Sequence, residues 1–553
     1  MNTGQLKGRI SLNRTLLSFL ILILATTTIL LAGCQKKTTE KGENLVFGLE
    51  NEITTLDPIR NSNIYELQVM GQIYEGLVGL DKNNQLIPLL AESWAVSSDF
   101  KTWKFRIRKG VYFHEDPIFG PNLTREVEAE DVRYSFQRIL SKQSTSSFAL
   151  VEVIKGAREY QAGKIQNVSG LRVIAPDTFV IELEQPEPFF INRITSPLFS
   201  IFPKEAVDLG ADIFGKTKAI GTGPFRLVHK SDVEVILERN PKYWRKTEGN
   251  VKQLKFLVIK NDQIRLTELK NNKIAMMAIP LSLASAIVDR GKGTPSSPVL
   301  KPPFNESYKA AGFKTFNIHF IGLNCEKMDV HLRRAISLAI NRKELTRIVT
   351  AGTGTVVPGP IPPGIRGYQT AYQDDIFNLE GAKMELKKSK YDPAKDKIEL
   401  LVHEKGNSEQ IGQLVQDYLS KIGIKVILKR LDFNSVIGMI IKGEATAFSM
   451  FIEYVFSSPE PMLNVLFHSS KIPVPNFWRY NNPQMDEGIE TLRKIGNRTE
   501  ANALARKLEK LAVDDAPAVF LYQLNNLVIY RKDISNVAYN GHNIPIFSEI
   551  AIK

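Results

Sequence analysis

The chain opens with an apolar run from Leu16 to Ala32, and beyond residue 44 its apolar positions take on the periods of regular secondary structure. Phe47 to Leu49 reads as a first strand. Leu67, Met70, Gly71, Tyr74 and Leu77 share one helical face, whereas Trp103, Phe105 and Ile107 alternate as strand residues do. Val132, Phe136, Ile139 and Leu140 stripe a helix over 130–140. Leu171/Val173 and Phe179/Ile181/Leu183 flank the turn signal Ala175-Pro176-Asp177, a hairpin pattern. Val233, Val235 and Leu237 alternate again. After residue 280 the pattern becomes helical: one helix is predicted over 331–350 and another over 411–422. Gly423 ends the second, and a strand follows over 425–428, an order that belongs to α/β architecture. Leu504, Leu508 and Leu511 mark a late helix, and Val519–Leu521 and Leu527–Tyr530 are the final strands. The Gly/Pro/Ser-rich stretch from Gly291 to Pro303 reads as an exposed loop, and Pro358–Gly367 as a stiff turn or crossing segment.

The first run is too short and too interrupted to be a convincing anchor. Lys7, Arg9 and Arg14 precede it with no acid before them, and Thr26-Thr27-Thr28 breaks it. A crossing helix needs about 17–25 apolar residues, so the run sits at the short limit and reads instead as a secretory signal. Leu31-Ala32-Gly33-Cys34 closes it and resembles the lipobox of bacterial lipoproteins. That resemblance implies removal of residues 1–33, lipidation at Cys34, and an extracytoplasmic body tethered to a bacterial membrane. Residues 34–44 are polar and basic, as a flexible tether should be.

Removing residues 1–33 leaves 520 of the 553, more than the ~250–300 residues one core supports, so two or more lobes are expected. Cys34 and Cys325 are the only cysteines, so no disulfide framework is expected within the mature chain. The formal charge of +13 falls to +10 without the leader, modest for that length, and no basic stripe interleaved with aromatics points to nucleic acid. Zinc-protease, phosphate-loop, redox Cys-pair and serine-elbow motifs are all lacking. His114-Glu115-Asp116 is the one local His/carboxylate cluster, and adjacent side chains diverge, so it reads as a polar loop. Gly221-Thr222-Gly223-Pro224 reads as a turn into a strand, because Pro224 removes a donor that a phosphate cradle needs. Neither a catalytic set, a metal site nor a cofactor is predicted.

Four groups of motifs, in order along the chain, are similar to bacterial extracellular solute-binding protein family 5, the peptide, nickel and oligosaccharide receptors of ABC importers. The first is Thr55-Leu56-Asp57-Pro58 with Gln72–Leu77 (QIYEGL). The second runs from Leu90-Ala91-Glu92-Ser93-Trp94 through 103–110 (WKFRIRKG) to Ala129–Val132 (AEDV). The third is 221–225 (GTGPF) with 237–241 (LERNP) and Tyr243-Trp244. The fourth is 332–342 (LRRAISLAINR) with 359–363 (GPIPP). The resemblance implies an α/β, two-lobed periplasmic-binding-protein-like fold of the large class II type, with an extra α+β subdomain inserted in the first lobe. We expect lobe 1 over 45–279 with the insert at about 80–196, lobe 2 over 280–518, and a return to lobe 1 over 519–553. It also implies a monomer that binds a small, peptide-like solute between the lobes and hands it to ABC permease subunits. Many peptide-binding members carry W-x-x-D-x-x-[DE]-P, whose aspartate holds the peptide ammonium; here Tyr454 stands at the Trp position and Ser457 at the Asp position. A hydroxyl cannot supply that charge. Glu453 could substitute, and Tyr454, Phe456 and Tyr522 are candidate pocket walls. A metal chelate or oligosaccharide as the solute, and a surface receptor or scaffold that no longer imports, remain alternative readings.

Overall fold

Three sheets of four or more strands organise the described residues. The computed structural model describes residue 1 and residues 44–553, apart from 62, 366–367, 373–374 and 405–406. The signal segment, Cys34 and nearly all of the tether therefore lie outside the described residues.

The first sheet has seven strands. In order they are Tyr308–Lys314, Asn525–Arg531, Met276–Ala278, Asn44–Leu49, Gln253–Val258, Glu234–Arg239 and Phe225–Lys230. Asn44–Leu49 lies parallel to both of its neighbours. Its side chains are mostly buried, as expected of a strand covered on both faces. Phe47 meets Phe256 and Phe547 edge to face at centroid distances of 6.0 and 5.6 Å. The second sheet has six strands, in the order Thr355–Val356, Ala518–Gln523, Asn317–Leu323, Ala447–Glu453, Ile398–His403 and Val426–Leu431. One of its faces packs Phe320, Phe448 and Phe520 around the fully buried Trp478. The other is covered by helices Val330–Ala339, Arg342–Val349 and Ser408–Ser420. The third sheet, Ala91–Val96, Thr102–Ile107, Thr178–Glu182 and Leu171–Ala175, falls inside the expected insert, with helix Ala129–Ile139 against it.

The chain passes between the two large sheets at residues 315–316 and again at Leu524. The first passage corrects the expected crossing near Ile279. Residues 281–314 form a helix (Leu281–Ile287), a hairpin (Val288–Thr294 with Ser297–Leu300) and the edge strand Tyr308–Lys314, which pairs back onto Asn525–Arg531 of the first sheet. The stretch from Gly291 to Pro303, expected to be a loop, is largely this hairpin. The return corrects the boundary at 518/519, because strand Ala518–Gln523 still belongs to the second sheet.

The helix expected over 331–350 is two helices. Ile340, in an extended conformation, ends the first, and Asn341 caps the second, its side chain accepting from the Glu344 N–H at 2.9 Å. The buried Arg342 guanidinium donates to the Ser337 carbonyl at 2.9 Å, a group the break leaves free, and to the Phe520 carbonyl of the second sheet at 2.7 Å. Helix Ile64–Ile73 stops before Leu77. His114 lies in a loop, as expected, but its side chain is buried: a ring nitrogen bonds the Gly223 carbonyl at 2.9 Å, and burial holds its pKa at about 4. No helix among the described residues is long and apolar enough to cross a membrane.

Candidate functional site

The two passages between the sheets are tied to each other. Asn317 donates from Nδ2 to the Leu524 carbonyl at 3.0 Å and accepts from the Leu524 N–H at 2.8 Å. Gln523 donates from Nε2 to the carbonyls of Thr315 and Pro363. The strand Asn317–Leu323 leaves this junction beside its antiparallel partner Ala447–Glu453, in which the candidate Glu453 lies opposite Asn317.

Beside the junction is a cavity of about 260 Å³. Asn61, Asn63, Ile64 and Leu67 form its first-lobe wall, Thr145, Ser146 and Phe148 its insert wall, and Glu453, Tyr454 and Val455 its second-lobe wall. His542, from the chain's last segment, completes it. A larger cavity of about 530 Å³ lies wholly in the first lobe, around Glu75. Glu75 is already satisfied there by Thr222, Tyr243 and Trp244. The smaller cavity is the candidate site, because it alone of the two is walled by both lobes.

The acids near this cavity divide sharply. Glu66 accepts from the backbone N–H groups of Thr54 and Thr55 and from Asn61 Nδ2. Asp57 takes both guanidinium nitrogens of Arg138 at 2.6 and 2.7 Å. Glu50 accepts from the Tyr65 hydroxyl and lies 3.3 Å from Arg265. The Glu453 carboxylate has no hydrogen bond or ion pair among the described residues. Its side chain keeps surface open to the cavity while protein surrounds it, and this desolvation pushes its carboxyl up to about 7. Across the cleft, Tyr65 feels both Glu50 and Glu453, which add to burial in holding its hydroxyl protonated.

Tyr454 lines the cavity but is fixed as a strut. Its N–H donates to the Phe316 carbonyl and its hydroxyl to the Pro360 carbonyl, each at 2.7 Å. His542 contacts the Thr195 hydroxyl through Nε2 at 2.9 Å, and burial lowers its pKa to about 4, leaving it neutral.

The sequence pattern of "Bacterial extracellular solute-binding proteins, family 5 Middle" matches residues 85–473, well over half of the chain. The chain belongs to this family. Di/tripeptide-binding protein 2 of Pseudomonas aeruginosa is 26% identical over 513 residues, covering 90% of this chain and 92% of its own length. Heme-binding protein A of Haemophilus influenzae is 26% identical over 461 residues, covering 81% and 80%. Among solved structures, HbpA2 from Haemophilus parasuis superposes with a TM-score of 0.78 at 23% identity, over 92% of this chain and all of that one. The Escherichia coli murein tripeptide binding protein MppA gives 0.73 at 22%, over 93% and 99%. These likenesses establish the two-lobed α/β fold.

Within this solute-binding fold the other expected site residues do not line the cavity. Ser457 turns to the first lobe, donating from its hydroxyl to the Asn192 carbonyl at 3.0 Å and lying 3.4 Å from the Thr195 hydroxyl. Phe456 is buried beneath Arg193, whose guanidinium carbon sits 4.8 Å from the ring centroid. Tyr522 is fully buried and accepts from Asn407 Nδ2 at 3.0 Å. Sequence reasoning overlooked Tyr65 and Asn61, which oppose Glu453, and a buried charge cluster where the insert meets the second lobe. In that cluster Arg193 bonds Glu187 at 2.6 Å, and Glu460 lies 3.7 Å from Arg193 and 3.5 Å from Arg493. Glu460 stands in the Pro459-Glu460-Pro461 stretch of the quoted pattern, which was the available signal.

Proposed function

We propose that this protein is the lipid-anchored substrate-binding subunit of an ABC importer. It captures a small, peptide-like solute bearing a cationic group between its lobes and delivers it to a membrane permease. The carrying observation is Glu453, an unpaired, desolvated carboxylate on the wall of a cavity shared by two lobes. Its side chain is open to the cavity yet pairs with no cation among the described residues, and a ligand ammonium supplies that partner. A cavity of about 260 Å³ is small against the ~300–1,000 Å³ of drug-sized sites, which favours a short solute. Family membership and the peptide-binding name of the Pseudomonas relative support the same class. Non-enzymatic binding, a monomeric state and an extracytoplasmic location accord with the family and belong to this reading.

Binding couples to shape through the junction. Solute in the cavity bridges walls carried by different sheets, so it stabilises the closed arrangement over the open one by the difference in its affinity for the two. Lipid anchoring rests on Leu31–Cys34, and Cys34→Ala should move the mature protein from the membrane to the soluble fraction.

Calorimetry with Gly-Leu and N-acetyl-Gly-Leu tests the reading. The free amine should bind at least tenfold more tightly, and Glu453→Gln should remove that preference. A charge–ammonium hydrogen bond contributes roughly 1.5–3 kcal/mol, enough for this effect. Equal affinity for the two peptides in the parent protein would refute the cation reading.

A further inference from the structure

Two residues before Glu453 on the same strand is Phe451, the end of a three-ring stack. His319 lies opposite Tyr522 on one side and Phe451 on the other, so three adjacent strands each contribute one ring. The His319 and Tyr522 centroids are 4.5 Å apart with planes 16° from parallel. His319 and Phe451 are 5.3 Å apart at 25°.

The stack runs from core to surface. Tyr522 anchors it, fully buried and held by Asn407. Desolvation holds the His319 imidazole neutral, with a pKa of about 4, and it has no hydrogen bond among the described residues. A neutral ring stacks without bringing a charge into the ladder. Phe451 is 54% exposed, so a large part of this last ring is uncovered. Strand alternation puts Phe451 and Glu453 on one face, about 7 Å apart along the chain. Glu453 lines the inter-lobe cavity. The uncovered ring and the unpaired anion therefore stand on the same face of one strand, both open to solvent.

We propose that Phe451 is the specificity-determining platform for a planar group on the solute whose cation Glu453 holds. The ligand class is an amine carrying an aromatic side chain one residue away, such as a dipeptide with an aromatic second residue. The ring of the solute becomes the fourth member of the ladder. Aromatic pairs prefer offset or edge-on contacts and gain beyond simple area burial, so an aliphatic chain of similar size gains less there. The charge argues for an amine, and the stack argues for what the amine carries.

This proposal rests on the reading of the cleft given above, and its test separates the two. Gly-Phe, Gly-Trp and Gly-Leu are titrated into the mature protein and into Phe451→Ala and Phe451→Leu, with circular dichroism confirming that each variant is folded. Native mass spectrometry records any solute that co-purifies. Gly-Phe and Gly-Trp should bind at least tenfold more tightly than Gly-Leu to the parent protein. Both substitutions should bring that ratio near one, weakening Gly-Phe and Gly-Trp at least tenfold more than Gly-Leu. Comparable affinities of all three peptides for the parent protein would overturn the platform and leave the cleft reading standing. So would an equal loss for all three in Phe451→Ala. Loss of folding in Phe451→Ala shifts the decision to Phe451→Leu, where an unchanged ratio counts against the platform. Failure of every peptide to bind, with no amine among co-purified solutes, removes both readings.

Discussion

Glu453 is the residue at which pH should act on solute binding. Burial raises its carboxyl to about 7. Below that pH the free protein holds it neutral, and a cationic solute must displace a proton to gain an anionic partner. Affinity for a cationic dipeptide should therefore fall as pH drops from 8 to 6, and Glu453→Gln should flatten that profile. Calorimetry at three pH values checks this, and a pH-independent affinity would place the cation elsewhere. Ser457 makes the complementary case. Its hydroxyl belongs to the contact with Asn192 and Thr195, so Ser457→Asp would put a carboxylate against a carbonyl oxygen 3.0 Å away. We expect that variant to lower the melting temperature without strengthening binding of free-amine peptides, and a clear gain in binding would reinstate position 457 as a ligand contact. Glu453 and Tyr454 could be singled out from the sequence because a short motif lies at them, and both stand on the cavity wall. Phe451 and His319 were not, because a stack across three strands depends on register, which one sequence does not display. For the same reason the partners of Ser457, some 265 residues away, stayed hidden.

Among the elements, the junction between insert and second lobe is where charge decides stability. Arg193, Glu187 and Glu460 are all nearly inaccessible, and Arg493 approaches Glu460 from the far side. Burial drives the Glu460 carboxyl up to about 7, with Glu187 adding to the shift and Arg193 and Arg493 opposing it. An acid with a raised folded-state pKa binds its proton more tightly folded than unfolded, so its contribution to stability is lost as pH rises from the ordinary carboxylate range through about 7. At pH 5 Glu460→Gln should melt close to the parent, since a protonated Glu and a Gln are near isosteres. At pH 8 it should melt higher than the parent. A variant that melts lower at pH 8 would show that the ionised Glu460 is a net stabilising partner of the arginines. Removing Arg193 instead leaves two buried acids without their shared cation, a loss on the order of 3–5 kcal/mol. The same scale shows why the boundary near 279 misled. Glycine, proline and serine between 291 and 303 look like a linker, yet Gly293, with φ +82°, supports a hairpin, and the edge strand after it pairs over seven residues. Composition reported a break in periodicity, and only strand pairing shows to which sheet the residues return.

For the molecule as a whole, solute capture depends on how the lobes are held where the chain passes between them, and Phe316 sits at that point. Its N–H donates to the Gly541 carbonyl at 2.8 Å, in the last segment of the chain. Its carbonyl accepts from Tyr454, on the second-lobe wall of the cavity. Its ring meets His542, another cavity residue, edge to face at 5.4 Å. Position 541 has no room for a side chain, because a Cβ there would lie 2.2 Å from the Phe316 ring. Gly541→Ala therefore cannot be accommodated without moving Phe316, and packed interiors shift as connected units rather than absorbing such a clash locally. The displaced ring carries the passage strand with it and alters the seating of Tyr454 and His542 without changing a residue that lines the cavity. We expect Gly541→Ala to fold with a lowered melting temperature and to bind a cognate dipeptide at least tenfold more weakly. Ligand should then raise its melting temperature less than it does for the parent at equal concentration, as mass action requires. Small-angle scattering with saturating peptide should show a smaller ligand-induced decrease in radius of gyration than in the parent. Unchanged affinity together with an unchanged decrease would mean that closure is set elsewhere, as at the contacts between insert and second lobe made by the Arg193 cluster and Ser457.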